Sequence, residues 1–249
     1  MPRSSFASKS YRTPAIVLRT HKLGEADRIV VLLTPSHGQV RAVAKGVRRT
    51  SSRLGATLEP FMLVDAQLST GRSLHVVTQA QIRAPYGQRL AADYRSYTAA
   101  HAMAETAERL TEDDVDAAAQ YRLLHGAFAA LARGEQDPSL ILDSFLLRSV
   151  ATAGWTPSFS GCVRCGAPGP HVAVNVPLGG VVCAACRPAG SLSPAPESID
   201  LLDALLTGDW ARAASSEAAA RREAANIVSG YLQWHLERVV KSLKHVERA

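Results

Sequence analysis

The chain has 249 residues, 47% of them hydrophobic and 20% charged, with only four cysteines. That is too apolar for a disordered chain and too poor in cysteine for a disulfide scaffold, and no apolar run approaches the ~18 residues that span a bilayer. The net charge of +6 is uneven: residues 1–89 carry 14 Lys/Arg against 4 Asp/Glu, and the other 160 carry 14 against 18. A strongly basic front on a mildly acidic rear points to a polyanion-binding module joined to something else. Met1 to Ser10 is polar and holds no secretory h-region, so a cytoplasmic protein without membrane contact is expected.

Residues 1–10 read as a frayed tail, and from Thr13 to Ala84 the pattern is β-like. Ala15 to Thr20 and Arg28 to Thr34 are β-branched runs, and Pro35-Ser36-His37-Gly38 turns into a third run from Gln39 to Val47. Phe61 to Ser69 and Leu74 to Ala84 form a second pair. In the last run Leu74, Val76, Thr78, Ala80 and Ile82 alternate onto one face, as in a strand half-packed on a core. Five strands with a long link at Arg48 to Leu58 predict a small closed Greek-key barrel. After Pro85 the composition turns to Ala, Leu, Glu and Arg, with helical periods at Leu90 to Leu110, Ala118 to Arg133, Leu140 to Ala153, Pro196 to Leu206 and Glu217 to His245. The expected plan is α+β and multidomain: a barrel over 1–84, then an α-helical domain over 85–249 interrupted by a Gly/Pro-rich insert at about 155–194 that holds every cysteine.

Those cysteines are Cys162 and Cys165, then Cys183 and Cys186, a C-x2-C-x17-C-x2-C pattern with the spacing of a four-thiolate zinc ribbon or knuckle. Zinc accepts a tetrahedron of thiolates, and a site with all four positions filled is structural, because catalysis by the ion needs an open one. Two disulfides would be unusual without export features, and a thioredoxin-type pair needs a βαβ setting that is missing. A nucleobase deaminase needs an H-x-E before a P-C-x-x-C, whereas every H-x-E here, His245-Val246-Glu247 among them, follows both cysteine pairs.

No P-loop, G-x-S-x-G elbow or H-E-x-x-H occurs. Glu112, Asp113, Asp114 and Asp116 cluster in a polar link, where helix starts favour acids, while a two-metal nuclease needs carboxylates converging from several elements. No enzyme is expected.

In the barrel segment, Arg41 and Lys45 share one strand face, and Gly46-Val-Arg-Arg-Thr-Ser-Ser-Arg53 reads as a flexible basic loop presenting Arg48, Arg49 and Arg53. Arg and Ser/Thr are the usual phosphate contacts. Arg72 extends the patch, as do Arg12, Arg19, Lys22 and Arg28, whose faces sequence does not assign. Phe6, Tyr11, Phe61 and Tyr86 are the only aromatics of residues 1–89, so the expected binding is carried by phosphate charge, with little sequence preference and tolerance of single and double strands.

Ala15-Ile-Val-Leu-Arg19, Gly24-Glu-Ala-Asp-Arg28, Gly38-Gln-Val-Arg-Ala-Val-Ala-Lys-Gly46 and Leu58-Glu-Pro-Phe61 resemble the amino-terminal domain of the RecO family of bacterial DNA repair and recombination mediators. Gly154-Trp-Thr-Pro157, Cys162-Val-Arg-Cys-Gly166, Tyr231-Leu-Gln-Trp-His-Leu236 and Lys241-Ser-Leu-Lys244 extend the likeness in order to about Val246. The resemblance implies an OB-fold, a helical domain and one structural zinc. It also implies, without nucleotide hydrolysis, binding of single- and double-stranded DNA, annealing of complementary strands, and joining RecR to help RecA displace single-strand-binding protein, whose acidic, hydrophobic tail the helical part contacts. A nucleoid-associated place in the bacterial cytoplasm follows from that role. The implied DNA surface falls on Arg41, Lys45, Arg48, Arg49 and Arg53. The competing reading is a zinc-ribbon RNA-binding or transcription-associated protein.

Overall fold

The computed structural model describes residues 10–111 and 117–247. The acidic run Glu112, Asp113, Asp114 and Asp116 lies outside them, and so does the polar tail except Ser10, which opens the first strand. The described residues fall into two units, one from Met1–Ala92 with Thr111–Phe128 and one from Asp93–Leu110 with Ala129–Ala249.

In the first unit, β1 (Ser10–Leu23), β2 (Asp27–Thr34), β3 (Gly38–Ala44), β4 (Leu63–Ser69) and β5 (His75–Ala84) close a barrel in the order β1-β2-β3-β5-β4. β3 and β5 pair in parallel and the other pairs are antiparallel. That closed five-stranded order is the OB-fold. Alternation selects the core in β3 and β4, where Val40, Ala42 and Ala44, and Val64, Ala66 and Leu68 fill the interior; Val30 and Leu32 join them from β2, which is buried continuously from Val30 to Thr34. Phe61 lies just before β4 with φ 68, a left-handed conformation that delays the strand to Leu63.

β5 departs from the simple alternation. Its register against β4 slips between Gln67 and Leu68 and again between Leu63 and Val64. The slip leaves Thr78 without an opposite residue, so Val77 pairs with Leu68 and turns into the core while Val76 stays half-exposed. A bulge of one residue moves every preceding side chain to the other face, which a strict period of two does not anticipate.

Two short helical pieces complete this unit: α1 (Tyr86–Leu90) and the first part of α3 (Ala118–Arg133). The Tyr86 hydroxyl lies 3.1 Å from His125 Nε2, and Phe61 meets Phe128 edge to face at 5.4 Å.

The second unit is built on α2 (Tyr94–Leu110), α4 (Pro138–Thr152), α5 (Pro196–Thr207), α6 (Trp210–Ala214) and α7 (Ala218–Leu236). α4 is buried along nearly its whole length and packs on α2, α5 and α7. Pro138 occupies its first turn, where a missing N–H costs nothing, and Asp137 caps it by accepting the Ser139 N–H at 2.8 Å. Arg95 of α2 donates to both oxygens of the same carboxylate, at 3.1 and 3.0 Å.

The period running from Glu217 to His245 predicts one long helix, but α7 stops at Leu236, where Glu237 takes φ 51. The chain buries Val240 and re-forms as a 3-10 turn over Lys241–His245. Glu105 of α2 accepts the Lys241 and Ser242 N–H groups at 3.0 and 2.8 Å, capping that turn from another helix. A tertiary carboxylate here satisfies donors that a continuous helix would have used internally. No helix of the described residues is long and apolar enough to cross a membrane.

Candidate metal centre and nucleic-acid interface

Each C-x2-C pair needs a turn that brings two sulfurs to one side. Around Cys162 the turn closes through Gly166 N–H to Cys162 O at 2.8 Å and Cys162 N–H to Ala167 O at 2.9 Å, with Gly166 at φ 73. The second pair sits on the 3-10 turn Ala184–Cys186, with Cys186 N–H donating to Cys183 O at 3.1 Å. A hairpin of β6 (Ala173–Asn175) and β7 (Gly180–Val182) carries one pair toward the other, and Val163 N–H bonds Val181 O at 3.0 Å. Gly180 is required there, because a Cβ on it would strike the Ser158 carbonyl.

The four sulfurs of Cys162, Cys165, Cys183 and Cys186 lie within 4.8 Å of one another, and those of Cys165 and Cys183 are 3.8 Å apart. A tetrahedral ion with Zn–S bonds of ~2.3 Å sets its sulfurs ~3.8 Å apart, whereas a disulfide needs ~2.05 Å. These cysteines are therefore positioned to hold one metal ion, and the donor set fits zinc. Backbone N–H groups of Cys183 and Cys165 hold the Cys162 thiol down to about 6, and hydrogen bonding with the Cys183 and Cys165 sulfurs pushes Cys186 up to about 12. Such protons belong to the cluster as a whole.

The cysteine segment is tied to α7 at its entry. The Tyr231 hydroxyl donates to the Trp155 carbonyl at 3.0 Å, and the Trp155 ring stacks on His235 at 4.9 Å. Burial pushes the Tyr231 hydroxyl up to about 12 and holds His235 below its ordinary range.

On the barrel, Arg41 and Lys45 both point outward, as their spacing predicts, and Arg49, Arg53 and Arg72 are exposed. The strand register adds what sequence leaves open. Arg19 of β1 pairs with Val31 of β2, and Val31 pairs with Arg41 of β3, so Arg19 and Arg41 flank one valine in a row across three strands. His21 stands two residues further along β1 on the same face. Burial first, then repulsion from the Arg19 and Arg41 guanidiniums, holds its imidazole below the usual range, so all three share one neighbourhood. His21 is the residue that sequence reasoning missed: only the hairpin register places it there.

Other basic residues are diverted. Arg28 is paired with Glu59 at 2.7 Å, and Lys22 lies opposite Arg28, out of phase with the Arg19 row. Arg12 and Arg83 both contact Asp65, at 3.0 and 3.2 Å. Arg72 stands apart from the row, on the β4–β5 connection, three residues before the strand start that pairs with Ala42.

The basic loop is more built than its composition predicts. Gly46 takes φ 63 and its N–H donates to Asp27 Oδ1 at 2.7 Å. Val47 and Leu58 sit in the barrel core with Leu54 packed against them, and Leu58 N–H reaches Leu54 O at 3.1 Å. Arg48 is a tether: its backbone N–H bonds Ala26 O at 2.9 Å and its guanidinium donates to the Gly24 and Glu25 carbonyls. Arg49 and Arg53 are left presented to solvent on a pinned frame.

Comparison with known proteins decides the family. A model described as Recombination protein O N terminal matches residues 8–86, and one described as Recombination protein O C terminal matches residues 91–244. The chain belongs to the RecO family. It is 53% identical over 245 residues to the DNA repair protein RecO of Streptomyces coelicolor, covering 96% of this chain and 99% of that one. The DNA repair proteins RecO of Nocardioides sp. and Thermobifida fusca are 53% identical over 242 residues and 54% over 240, with the same coverage. The RecO-family barrel thus carries the basic row, and the RecO-family helical part carries the cysteine cluster.

Proposed function

We propose that this chain is a recombination mediator that binds single- and double-stranded DNA through its barrel, anneals complementary strands, and acts with RecR to help RecA load onto DNA coated by single-strand-binding protein, without nucleotide hydrolysis. The observation that carries the reading is the cross-strand row of Arg19 and Arg41, with Lys45, Arg49 and Arg53 beyond it. Annealing needs a surface that screens two phosphate backbones while leaving bases free to pair, and outward guanidiniums on a rigid barrel do this by displacing counterions. Arg48 contributes chiefly by holding the loop, and Arg72 by extending the charge along the β4–β5 connection.

In this reading the barrel of residues 1–84 is the DNA-binding domain and residues 85–249 recruit proteins, including RecR and the acidic tail of single-strand-binding protein. Cys162, Cys165, Cys183 and Cys186 hold one zinc ion, which supplies a cross-link for the 155–194 insert and no reaction chemistry. The protein works in the bacterial cytoplasm, at the nucleoid.

The test is annealing of two complementary oligonucleotides coated with single-strand-binding protein, in the absence of ATP. The chain should accelerate annealing, and an Arg41→Glu/Arg49→Glu variant should lose the acceleration while keeping its metal content. Annealing no faster than the protein-free control would overturn the reading.

A further inference from the structure

Single-strand-binding surfaces place π-faces under successive bases. The barrel segment is poor in Phe, Tyr and Trp, but the fold gathers rings that lie far apart in sequence. Tyr11 near the start of β1, His37 in the β2–β3 turn and His75 at the start of β5 meet at one place on the barrel. The Tyr11 and His37 rings stack with centroids 4.4 Å apart and planes inclined by 29°, and His75 meets Tyr11 edge-on at 5.7 Å. The Tyr11 hydroxyl and His75 Nδ1 are 3.1 Å apart.

We propose that His37, backed by Tyr11, is a stacking platform for one unpaired base of single-stranded DNA. The inference rests on the DNA-binding reading above and adds a strand-selective element to it. The three rings have different exposure: His37 is exposed, while Tyr11 and His75 are half-buried and Tyr11 leans on the barrel core. Tyr11 thus supports one face of His37 and leaves the outer one to solvent.

The turn that carries His37 is also held in place. The His37 backbone N–H donates to Thr34 Oγ1 at 3.1 Å, and the Thr34 hydroxyl donates to Gly38 O at 3.0 Å. A ring on a hydrogen-bonded turn loses little freedom when a base lands on it. Burial, then repulsion from His37, lowers the affinity of the edge-on His75 ring for a proton. Exposed Arg72, three residues before His75 on the same connection, adds positive charge to the approach to β5. A base inside a duplex has both faces covered by its neighbours, so a single platform ring serves unpaired strands only.

The experiment compares the full chain with His37→Ala and His37→Phe on a fluorescent single-stranded oligonucleotide and on the matching blunt duplex, at one fixed pH. For His37→Ala the single-strand Kd should rise about threefold to tenfold, with duplex affinity and the salt slope of binding unchanged, because a stacking contact and no phosphate contact has been removed. His37→Phe should restore single-strand affinity. An equal loss on both substrates, a flatter salt slope, or no loss at all overturns the platform while leaving the charged row intact. Wild-type protein that binds neither substrate overturns the DNA-binding reading itself.

Discussion

The Arg48 guanidinium donates to the Glu25 carbonyl at 2.9 Å, joining the β1–β2 turn to the start of the basic loop. A residue that composition marks as a phosphate contact is thus part of the frame that presents its neighbours. Arg48→Ala should lower the thermal midpoint by about 2–4 °C, the equivalent of about 1 kcal/mol for hydrogen bonds to a charged donor at the surface. Arg49→Ala, whose side chain is exposed, should leave the midpoint unchanged and weaken DNA binding. Thermal unfolding and a binding titration of both variants check this, and identical midpoints would remove the tether.

If Arg19, Arg41, Lys45, Arg49 and Arg53 neutralise about five phosphates, log K should fall against log[salt] with a slope of roughly −3.5 to −4.5. Arg41→Ala should flatten that slope by about 0.7–0.9, and so should Arg19→Ala, its partner across Val31. Lys22→Ala, on the opposite phase of β1, should change it far less. Binding titrations at several salt concentrations read all three slopes, and a salt-independent affinity contradicts the interface.

Elemental analysis should find one zinc per chain. Cys165→Ser should abolish it, because Cys165 supplies one of four mutually close sulfurs and a three-thiolate remnant is open to water and chelators. Limited proteolysis should then cut within 155–194, whereas duplex binding should stay within about twofold of wild type, since phosphate contacts on the barrel are untouched. Protein purified under reducing conditions without metal would contradict the assignment.

Local patterns were readable in the sequence, and long-range registers were not. The C-x2-C pairs announce themselves because each turn closes within four residues, so spacing alone implies convergent sulfurs. The barrel core follows from alternation in β3 and β4, and β2 declares itself as a continuous apolar run, Ile29 to Leu33. Alternation fails in β5, because the unpaired Thr78 depends on how β4 lies alongside. The end of α7 is hidden for a similar reason: Glu105, more than 130 positions away, makes the 3-10 turn worth forming. Arg19 and His21 joined the charged row only once the β1–β2–β3 register was known, since period two gives a face but not its neighbours across the sheet.

Asp137 ties two helices of the second unit together, capping α4 through Ser139 and receiving Arg95 from α2. Burial raises the affinity of its carboxylate for a proton, but the bonds from Ser139 and Arg95 outweigh it and hold the group below the usual carboxylate range. A carboxylate whose proton affinity is lower folded than unfolded contributes stability above its unfolded value of about 3.9 and loses it as pH falls through the lower folded value. Asp137→Ala should therefore cost about 0.5–2 kcal/mol at neutral pH, the range for a lost cap. The gap between variant and wild type should start to narrow as the pH drops below about 4 and close once it passes below the lower folded value, where both lack the charge. Unfolding titrations of the full chain at neutral and acidic pH measure the gap; a gap that stays constant across that range would mean that the ionised carboxylate contributes nothing beyond its shape.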